Sequence, residues 1–553
     1  MGQLHRDDNW WKEGVIYQIY PRSFFDADGD GVGDLDGIRT RLDYLRELGV
    51  SGIWISPINK SPMFDFGYDI SDYREIDPVF GDIEAFRRLL DEAHRRNIGV
   101  IMDMVFNHTS VLHSWFIESR SSKDNPYRDF YVWRKPKKGG RVPNNWKASF
   151  GGSCWSFDEK SGEYYLHSFL PEQPDLNWAN PRCRKAIFDE LEFWLKEGVD
   201  GFRLDVINLI GKDPEFRDNP FTFGWPPRPY EMQRHLYDRN SPATGDYLRQ
   251  LRRLLNRYPG SFAVGEIYLD KPVDQELAAS FTGVQDQLHL AFDFSLTFSP
   301  WSARRFGSIF EGQYRAALRY GGTPCFVFSN HDVVRALSRY APSSDREMKE
   351  AVAKLIGVML LTQGGTPFLY MGEEIGMENA AVPRSRLADP VGIRYWPFHK
   401  GRDGERLPMQ WDGGPCAGFS SNPDARPWLP LHPNYQEVNV ADQQGRAGSV
   451  LSCFKALIAL RSKYPALRRG GFTLIQAEEK ELLVYLREAD TKERFLVCVN
   501  FSSKRHQSLK VENGRWRKLF STHASDFSEQ GTQVVIEQES MLAPLEGMIL
   551  ISQ

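Results

Sequence analysis

The chain has 553 residues, 41% of them hydrophobic and 26% charged, and its formal net charge at pH 7 is −4. A chain of this length exceeds what one hydrophobic core supports, so we expect two or three domains, one of them large. The nearly balanced charge does not indicate electrostatic binding to nucleic acid or to an anionic membrane surface. We therefore expect neither as a partner.

The compartment is inferred from the N-terminus and the cysteines. The chain begins without the apolar segment of a secretory signal, and no stretch approaches the roughly 20 apolar residues of a spanning helix. The six cysteines show no metal-ligand spacing, and several lie in apolar runs. Free, buried thiols in a reducing compartment follow from this pattern, so we expect a cytoplasmic protein.

Short apolar strands alternate with amphipathic helices along most of the chain, which predicts parallel β–α units. After the first strand, one amphipathic helix is expected from Leu35 to Leu48, with Gly49 as its C-terminal cap. Asp82 is expected to cap the next helix. The eight predicted strands are Gly14–Tyr20, Gly52–Ser56, Ile98–Met102, one from Asp200, one from Phe262, Leu288–Asp293, one from Cys325, and Thr366–Met371. Eight such units form a (β/α)8 TIM barrel.

Long segments without this repeat define the other domains. The segment after the third strand, 107–172, has no helical period, and an unstructured insert of that length is rare in a compact domain. We expect a small folded domain over the barrel mouth there, and a second long loop over 377–440. From 470 to 553 the pattern changes to alternating strands, which predicts a C-terminal antiparallel β domain. The barrel then comprises 1–106 and 173–469.

Four separate segments place ionisable residues directly after an apolar strand. They are Asp103–His108, Gly201–Asp205, Gly265–Glu266 and Ser329–Asp332. In a parallel barrel the C-terminal ends of the strands meet at one mouth, where the active sites of such folds lie. Several carboxylates, two histidines and an arginine at one mouth are too polar for a core. The sequence therefore predicts an active site at this mouth.

These four segments, in this order, resemble those of the α-amylase family of glycoside hydrolases (family 13). The resemblance covers nearly the whole chain. Segments that look like the oligo-1,6-glucosidase and α-glucosidase branch are Gly67–Ser71, Gln173–Trp178, Gly372–Met377 and Arg406–Asp412. Two departures from the branch, at Asp65–Phe66 and at Leu407, concern subsites and leave the charged groups intact.

The resemblance implies a retaining double displacement with Asp205 as nucleophile and Glu266 as acid/base. Arg203 lies two residues before Asp205, so on a strand both side chains project to one face, and the guanidinium is expected to lower the nucleophile's pKa. No cation neighbours Glu266 in the sequence, so burial is expected to raise its pKa. Asp332 is implied as the third carboxylate, which stabilises the cationic transition state. Asp103 is expected to brace Arg203.

The resemblance also implies how the glucose is held. The residues it assigns to substrate binding are Tyr68, Asp69, His108, Gln173, Arg203, Val206, His331 and Arg406. Two histidines, His108 and His331, would bind sugar hydroxyls, and Tyr68 would stack on the ring. Asp69 and Arg406 would grip the far hydroxyls and close the pocket. A pocket closed at that end implies that glucose is removed from the non-reducing end.

Linkage preference is expected to depend on Val206, directly after the nucleophile. In the branch that this chain resembles, Val at this position goes with α-1,6 substrates, whereas Thr or Ala goes with α-1,4 substrates. A β-branched apolar wall at the leaving-group subsite would crowd the sugar of an α-1,4 bond. The sequence favours α-1,6 and leaves α-1,4 open.

An acidic turn follows the first strand. Its carboxylates alternate with glycines, at Asp26, Asp28, Asp30 and Asp34. Hard oxygen donors of this kind suit Ca²⁺ or Mg²⁺, but Gly37 stands where an EF-hand needs Glu. The resemblance implies a structural ion held by the four carboxylates and the Val32 carbonyl, and no organic cofactor. A solvated acidic turn is the alternative.

The sequence thus predicts a retaining, exo-acting α-glucosidase for short oligosaccharides, as a monomer or a homodimer. A glucosyl-transferring or sucrose- or trehalose-acting enzyme of the same family would use the same glucosyl-enzyme, so it stays open. Hydrolysis of a phosphorylated disaccharide is a further alternative. An inactive sugar-binding relative is disfavoured, because such proteins lose the carboxylates or carry a membrane helix.

Overall fold

The computed structural model describes residues 8–224, 228–269, 274–283, 286–341, 345–478, 481–489, 493–510, 515–527, 535–536 and 539–552. Eight parallel strands form one sheet: β1 Ile16–Ile19, β2 Gly52–Ile55, β3 Gly99–Met104, β4 Gly201–Leu204, β5 Phe262–Gly265, β6 Leu290–Ala291, β7 Cys325–Val327 and β8 Thr366–Tyr370. Their order is β6-β5-β4-β3-β2-β1-β8-β7, which closes the barrel except between β6 and β7 within the described residues. The predicted (β/α)8 barrel is confirmed.

Helices surround the sheet and cover its outer face. The α-helices of the barrel part are Trp10–Glu13, Leu35–Thr40, Leu42–Leu48, Ile83–Arg95, Pro181–Glu197, Ala243–Leu255, Gln275–Ser280, Ala303–Tyr320, Ala336–Tyr340, Arg346–Leu361, Pro390–Tyr395, Val440–Gln443, Val450–Lys463 and Pro465–Arg469. Asp82 caps its helix by accepting from the Ala85 N–H at 2.7 Å, and Gly49 ends another with a φ of 92°. The helix expected over Leu35–Leu48 is two helices, because the chain leaves helical geometry at Arg41.

The segment after β3 folds separately from the barrel repeat. Its strands form a three-stranded antiparallel sheet from Trp133–Arg134, Glu163–Leu166 and Trp155–Asp158. A buried cluster that includes Trp146 and Cys154 packs against this sheet. The segment also contains a helix, Ser114–Ser121, which the absence of a helical period did not predict. The small inserted domain is thus present, with more helix than expected.

The C-terminal part is an antiparallel β domain, as predicted. Its strands are Gly471–Glu478, Leu482–Glu488, Arg494–Asn500, Gln507–Lys510, Trp516–Ser521, Val535–Ile536, Glu539–Leu542 and Gly547–Ser552. Six of them form one sheet, and Gln507–Lys510 pairs with Glu539–Leu542 in a second. The apolar run that begins at residue 534 in the sequence, one of the alternating strands expected over 470–553, starts outside the described residues. Buried Arg487 joins this domain to the barrel by donating to the Ala466 carbonyl at 3.3 Å and to the Tyr314 hydroxyl.

The structure shows whether the cysteines are paired and whether a helix could cross a membrane. All six cysteines are free and five are buried, in agreement with the prediction of unpaired thiols. Within the part of the chain that the structure describes, none of the helices has the length and apolarity required to cross a bilayer.

Candidate active site

The predicted catalytic pair meets where β4 and β5 end. The parallel register pairs Gly265 with Leu204, so the next residues, Glu266 and Asp205, leave the sheet side by side. Arg203 reaches both, because Nη1 donates to Asp205 Oδ1 at 2.8 Å and Nη2 donates to Glu266 Oε2. The expectation that no cation lies beside Glu266 is wrong. Neighbouring strands bring together two side chains that are 63 residues apart in the chain.

The site is buried, and burial has the largest effect on the pKa of Asp205. Burial raises the pKa of Asp205 well above its usual range; Arg203 lowers it without reversing the rise, and the charge of Glu266 raises it further. The predicted lowering of the Asp205 pKa is therefore wrong, because burial outweighs the guanidinium. Ionisation of Asp205 is therefore opposed both by burial and by the charge of the second carboxyl.

Asp103 lies behind this pair and holds Arg203 in place. Its carboxylate accepts from Arg203 Nη1 at 2.8 and 3.1 Å. The indole N–H of Trp54 and the hydroxyl of Tyr68 also donate to it, each at 3.2 Å. Burial raises the pKa of Asp103 to about 6, although the charge of Arg203 opposes the rise. These contacts agree with the bracing role that the sequence suggested.

A cavity of about 560 Å³ opens at the barrel mouth, a size typical of small-ligand sites. The predicted site residues that line it are Tyr68, His108, Asp205, Val206, Glu266 and Asp332. Those that lie behind its wall, each at most 1% exposed, are Asp69, Gln173, Arg203, His331 and Arg406. The residues predicted from the sequence therefore include both the wall of the cavity and the groups behind it, and the motifs do not distinguish the two.

Asp332 is anchored by two arginines and a histidine. Arg406 Nη2 and Arg402 Nη1 donate to its Oδ1 at 2.8 and 3.0 Å, and His331 Nε2 lies 3.1 Å from its Oδ2. Burial acts to raise the pKa of Asp332, but the contact with His331 and the charges of Arg402 and Arg406 bring it below its usual range. Asp332 therefore stays ionised at neutral pH, as a group that stabilises positive charge must.

The acid–arginine pair that faces the cavity is Asp65 and Arg402, which replaces the predicted pair of Asp69 and Arg406. Arg402 Nη2 donates to Asp65 Oδ1 at 2.8 Å and to Asp389 Oδ1 at 2.6 Å. Asp65 and Arg402 both line the cavity. Each lies four residues before the residue named from the sequence, just outside the segments Gly67–Ser71 and Arg406–Asp412. The motifs thus located the right loops, but nothing in them shows which side chain faces inward.

Asp69 instead shapes the turn that presents Asp65. Its carboxylate accepts from the Ser61 hydroxyl at 2.9 Å and from the backbone N–H groups of Phe64 and Asp65 at 3.0 Å each. Burial raises the pKa of Asp69 to about 7. With these acceptor sites occupied by its own loop, Asp69 is a structural group.

The histidines of the site are buried and neutral. His108 Nε2 lies 2.9 Å from the Tyr68 carbonyl, to which Gln173 also donates at 3.1 Å. His331 stacks on the Tyr68 ring, with centroids 5.6 Å apart and an interplanar angle of 2°, and its Nδ1 lies 2.7 Å from Gln18 Nε2. Burial lowers the pKa of His108 to about 4 and that of His331 well below its usual range. Both therefore act as hydrogen-bonding groups rather than charges.

Val206 lies on the cavity wall in a strained conformation. Its φ of 35° is in the left-handed region, which is costly for a β-branched residue and marks a constrained position. This conformation directs its N–H toward Glu266 Oε2 at 3.3 Å. The apolar residues packed with it are Phe150, Phe169, Leu209 and Val391. Val206 thus touches both the acid/base and the apolar side of the cavity.

The acidic turn brings three of its four aspartates together. Ligand oxygens of Asp26, Asp28 and Asp34 all lie within 4.8 Å of one another. Asp30 is outside this group, and its Oδ1 accepts from the Val32 N–H at 2.7 Å. Burial raises the pKa of Asp28 and of Asp34. A cluster of carboxylate oxygens fits a hard cation such as Ca²⁺.

Comparisons with known proteins show the family of the chain. The family model for the α-amylase catalytic domain matches residues 18–470. A probable α-glucosidase of Rhizobium meliloti (strain 1021) is 43% identical over 503 residues, 89% of each chain. An oligo-1,6-glucosidase of Parageobacillus thermoglucosidasius is 41% identical over 522 residues, 90% of this chain and 91% of the relative. The crystal structure of the α-glucosyl transfer enzyme XgtA superposes with a TM-score of 0.91 at 40% identity, covering 98% of this chain and 99% of that one. The chain therefore belongs to the α-amylase family of glycoside hydrolases.

Proposed function

We propose that the protein is a retaining, exo-acting α-glucosidase that releases α-glucose from the non-reducing end of short α-glucosides, with α-1,6 bonds favoured. One observation carries this proposal: Asp205 and Glu266 share the Arg203 guanidinium at the edge of the cavity. Double displacement requires two carboxyl groups at the scissile bond, one as nucleophile and one as acid/base.

The reaction begins with attack by Asp205 on the anomeric carbon while Glu266 donates a proton to the leaving oxygen. The aglycone departs, and a glucosyl ester of Asp205 remains. Glu266, now a carboxylate, takes a proton from water as that water attacks the same carbon, which restores both groups. Arg203 positions both carboxyls throughout, and the negative charge of Asp332 stabilises the oxocarbenium-like transition state.

Exo action follows from the inner end of the cavity. Asp65 and Arg402 form an ion pair with an N–O distance of 2.8 Å, and Arg402 is tied to Asp389 behind the wall. A buried, doubly anchored pair is rigid, and it offers a carboxylate and a guanidinium to sugar hydroxyls. We infer that this pair binds the terminal glucose while the catalytic carboxyls act on its glycosidic bond, so the terminal residue is the one removed.

The α-1,6 preference is supported by Val206 on the leaving-group side of Glu266. Its branched side chain and strained backbone narrow the path beside the scissile oxygen. A 6-linked sugar is held one carbon farther from the bond, so it is crowded less than a 4-linked sugar. The name oligo-1,6-glucosidase, carried by a relative at 41% identity, supports the same preference.

Glucosyl transfer is the second candidate, because a similar structure is that of an α-glucosyl transfer enzyme. A sugar hydroxyl would then replace water in the second step, with the same residues. Sucrose or trehalose as donor, or a phosphorylated disaccharide, would differ only in the leaving group.

A structural Ca²⁺ or Mg²⁺ is part of the proposal. Asp26, Asp28 and Asp34 would hold it, and Asp34 also caps the helix Leu35–Thr40 through the Gly37 N–H. The ion would neutralise three clustered carboxylates and stabilise the turn, away from bond cleavage. We further propose a cytoplasmic location and a monomeric or homodimeric state.

The proposal is tested by the anomer of the first product. Proton NMR of isomaltose digestion should show α-glucose before mutarotation, and Asp205→Ala should remove activity while the melting temperature stays within a few degrees. Glu266→Gln should lower kcat/KM on isomaltose by about 10²–10⁴, the range for lost general acid catalysis. Release of β-glucose would overturn the mechanism.

A further inference from the structure

Strand β1 carries one polar side chain into the interior of the barrel. The side chains of a strand alternate between its two faces, so Gln18 shares a face with Ile16, which belongs to the apolar cluster inside the barrel. Gln18 is 1% exposed, and it does not line the catalytic cavity. Burying an amide costs free energy unless its groups are hydrogen-bonded, so the partners of Gln18 indicate what it does there.

The amide of Gln18 faces the ring of His331. Gln18 Nε2 lies 2.7 Å from His331 Nδ1 and 3.4 Å from the Ser56 hydroxyl. On the other side of the ring, His331 Nε2 lies 2.5 Å from the Tyr68 hydroxyl and 3.1 Å from Asp332 Oδ2. A neutral imidazole has one donor and one acceptor nitrogen, and the partners of the ring decide which nitrogen carries the proton.

The surroundings of His331 show where its proton lies. Burial lowers the pKa of His331 well below its usual range, and neighbouring guanidiniums add to this effect against the opposing charge of Asp332. These guanidiniums belong to Arg406, Arg203 and Arg402. The ring is therefore neutral and carries one proton. Because Asp332 is ionised, an Nε2 without hydrogen would turn a lone pair toward the Asp332 carboxylate at 3.1 Å. The proton thus lies on Nε2, and Nδ1 accepts from Gln18.

Donation by Gln18 sets the direction of a chain of hydrogen bonds. With the proton on Nε2, His331 donates to Asp332 and to the Tyr68 oxygen. The Tyr68 hydroxyl then donates its own hydrogen to Asp103 Oδ2 at 3.2 Å. If the ring proton moved to Nδ1, Nε2 would accept from Tyr68, and Asp332 and Asp103 would each lose a donor.

We propose that Gln18 is a positioning residue that fixes the tautomer of His331, and through it the orientation of Asp332. This inference rests on the proposed glucosidase function, in which Asp332 stabilises the transition state. Gln18 does not reach the cavity, so it acts on the sugar only through His331. Because Asp332 acts mainly on the transition state, loss of the Gln18 donor should lower kcat more than it raises KM.

The tautomer is measured directly by NMR. In protein that contains isotope-labelled histidine, long-range proton–nitrogen correlations identify the ring nitrogen that carries the proton. The spectrum of His331→Gln shows which signal belongs to His331. In the wild type we expect a protonated Nε2 and an unprotonated Nδ1. A proton on Nδ1 in the wild type would overturn the proposal.

Gln18→Met tests the role of the donor in catalysis. Methionine keeps the length of the side chain and removes the amide, so kcat/KM on isomaltose should fall about tenfold, as expected for one lost hydrogen bond. Gln363→Met is the matched control, because Gln363 is also a fully buried glutamine and does not line the cavity. Its kcat/KM should change by less than about twofold. Thermal unfolding should show that both variants are folded.

Gln18→Glu gives a pH signature that a loss of packing would not produce. While the new carboxyl and His331 together hold two protons, Nε2 keeps its hydrogen. When the pair loses one proton, the other lies on Nδ1 beside the carboxylate, and Nε2 turns a lone pair toward Asp332. Relative to the wild type, kcat/KM of Gln18→Glu should therefore be about tenfold lower at pH 8 than at pH 5. A ratio that is the same at both pH values would overturn the proposal.

The NMR measurement separates this inference from the proposed function, because it needs no turnover. At pH 8 the proton of His331 should lie on Nε2 in the wild type and on Nδ1 in Gln18→Glu. If this difference is seen but the wild type cleaves no glucoside, the control of the tautomer by Gln18 stands and the glucosidase proposal fails. If the enzyme cleaves isomaltose and Gln18→Met keeps the wild-type kcat/KM, the role of Gln18 fails alone.

Discussion

Arg203 donates from Nη2 to the carboxylate of Glu266, a residue that has no cationic neighbour in the sequence. From Nη1 the same guanidinium donates to Asp205 and to Asp103. A planar guanidinium fixes the angle between the groups it bridges, which the single ammonium of a lysine does not. The relative orientation of nucleophile and acid/base therefore depends on one buried side chain.

Arg203→Lys should lower kcat/KM on isomaltose by about 100-fold, because the charge stays but one of the two carboxyls loses its donor. Thermal unfolding should show that the variant is folded. The control is Arg74→Lys, because the guanidinium of Arg74 is paired with Glu190 at the surface. A fall of less than about threefold in Arg203→Lys would show that charge alone suffices.

Asp65 and Arg402 should be the pair that grips the terminal glucose. Asp65→Asn and Arg402→Lys should each lower kcat/KM by about 10–100-fold, as expected for hydrogen bonds to charged groups. Asp69→Asn should mainly lower the melting temperature, since Asp69 accepts from backbone N–H groups of its own loop. If Asp69→Asn lowers kcat/KM more than Asp65→Asn does, then the pair predicted from the sequence, Asp69 and Arg406, would be the one that binds the glucose.

The wild type should prefer isomaltose to maltose, and Val206→Ala should reduce the ratio of the two kcat/KM values about tenfold. Removing the branched side chain relieves the crowding of a 4-linked sugar, and pocket contacts of this size are worth about 1–3 kcal/mol. Val391→Ala is the control, because Val391 also lines the cavity and belongs to the same apolar cluster. A wild-type preference for maltose would refute the assignment.

A chelator should lower the melting temperature without changing kcat at 25 °C. Loss of an ion that binds only the folded state removes its contribution to the free energy of unfolding, about 2.7 kcal/mol at 100 times its Kd. Asp28→Asn, in the cluster with Asp26 and Asp34, should make melting insensitive to chelator. Identical melting temperatures with and without chelator would show that no such ion stabilises the folded protein.

Stability should fall in acid partly because of His113. Burial lowers the pKa of His113 to about 3, whereas the unfolded value is about 6.5. Below pH 6.5 the unfolded chain binds a proton that the folded chain does not, so the free energy of unfolding falls as pH decreases toward 3. The contribution is at most about 1.4 kcal/mol per pH unit.

His113→Asn should reduce this acid sensitivity. Asn does not titrate, and its side-chain oxygen can replace Nδ1 as acceptor for the Trp115 N–H, which lies 3.1 Å from it. The drop in melting temperature between pH 7 and pH 5 should be smaller in the variant than in the wild type. Equal drops would show that His113 does not titrate in this range.

The order of the elements was readable from the sequence because it depends on local periodicity. Apolar runs located all eight barrel strands to within a few residues, although β6 is only Leu290–Ala291. The helix Ser114–Ser121 was missed because its short sequence has no clear apolar face. The break at Arg41 was missed because the apolar spacing continues through it.

The sequence by itself determined which segments form the site, because charged residues after buried strands must converge at the mouth of a parallel barrel. Only the tertiary structure decided which role each of those residues has in the site. The register of β4 and β5 placed Arg203 against Glu266, and burial set the direction of the Asp205 pKa. Folding of the long loops turned Asp65 and Arg402 inward and left Asp69 as support, since side-chain direction in a loop depends on contacts that are distant in the chain.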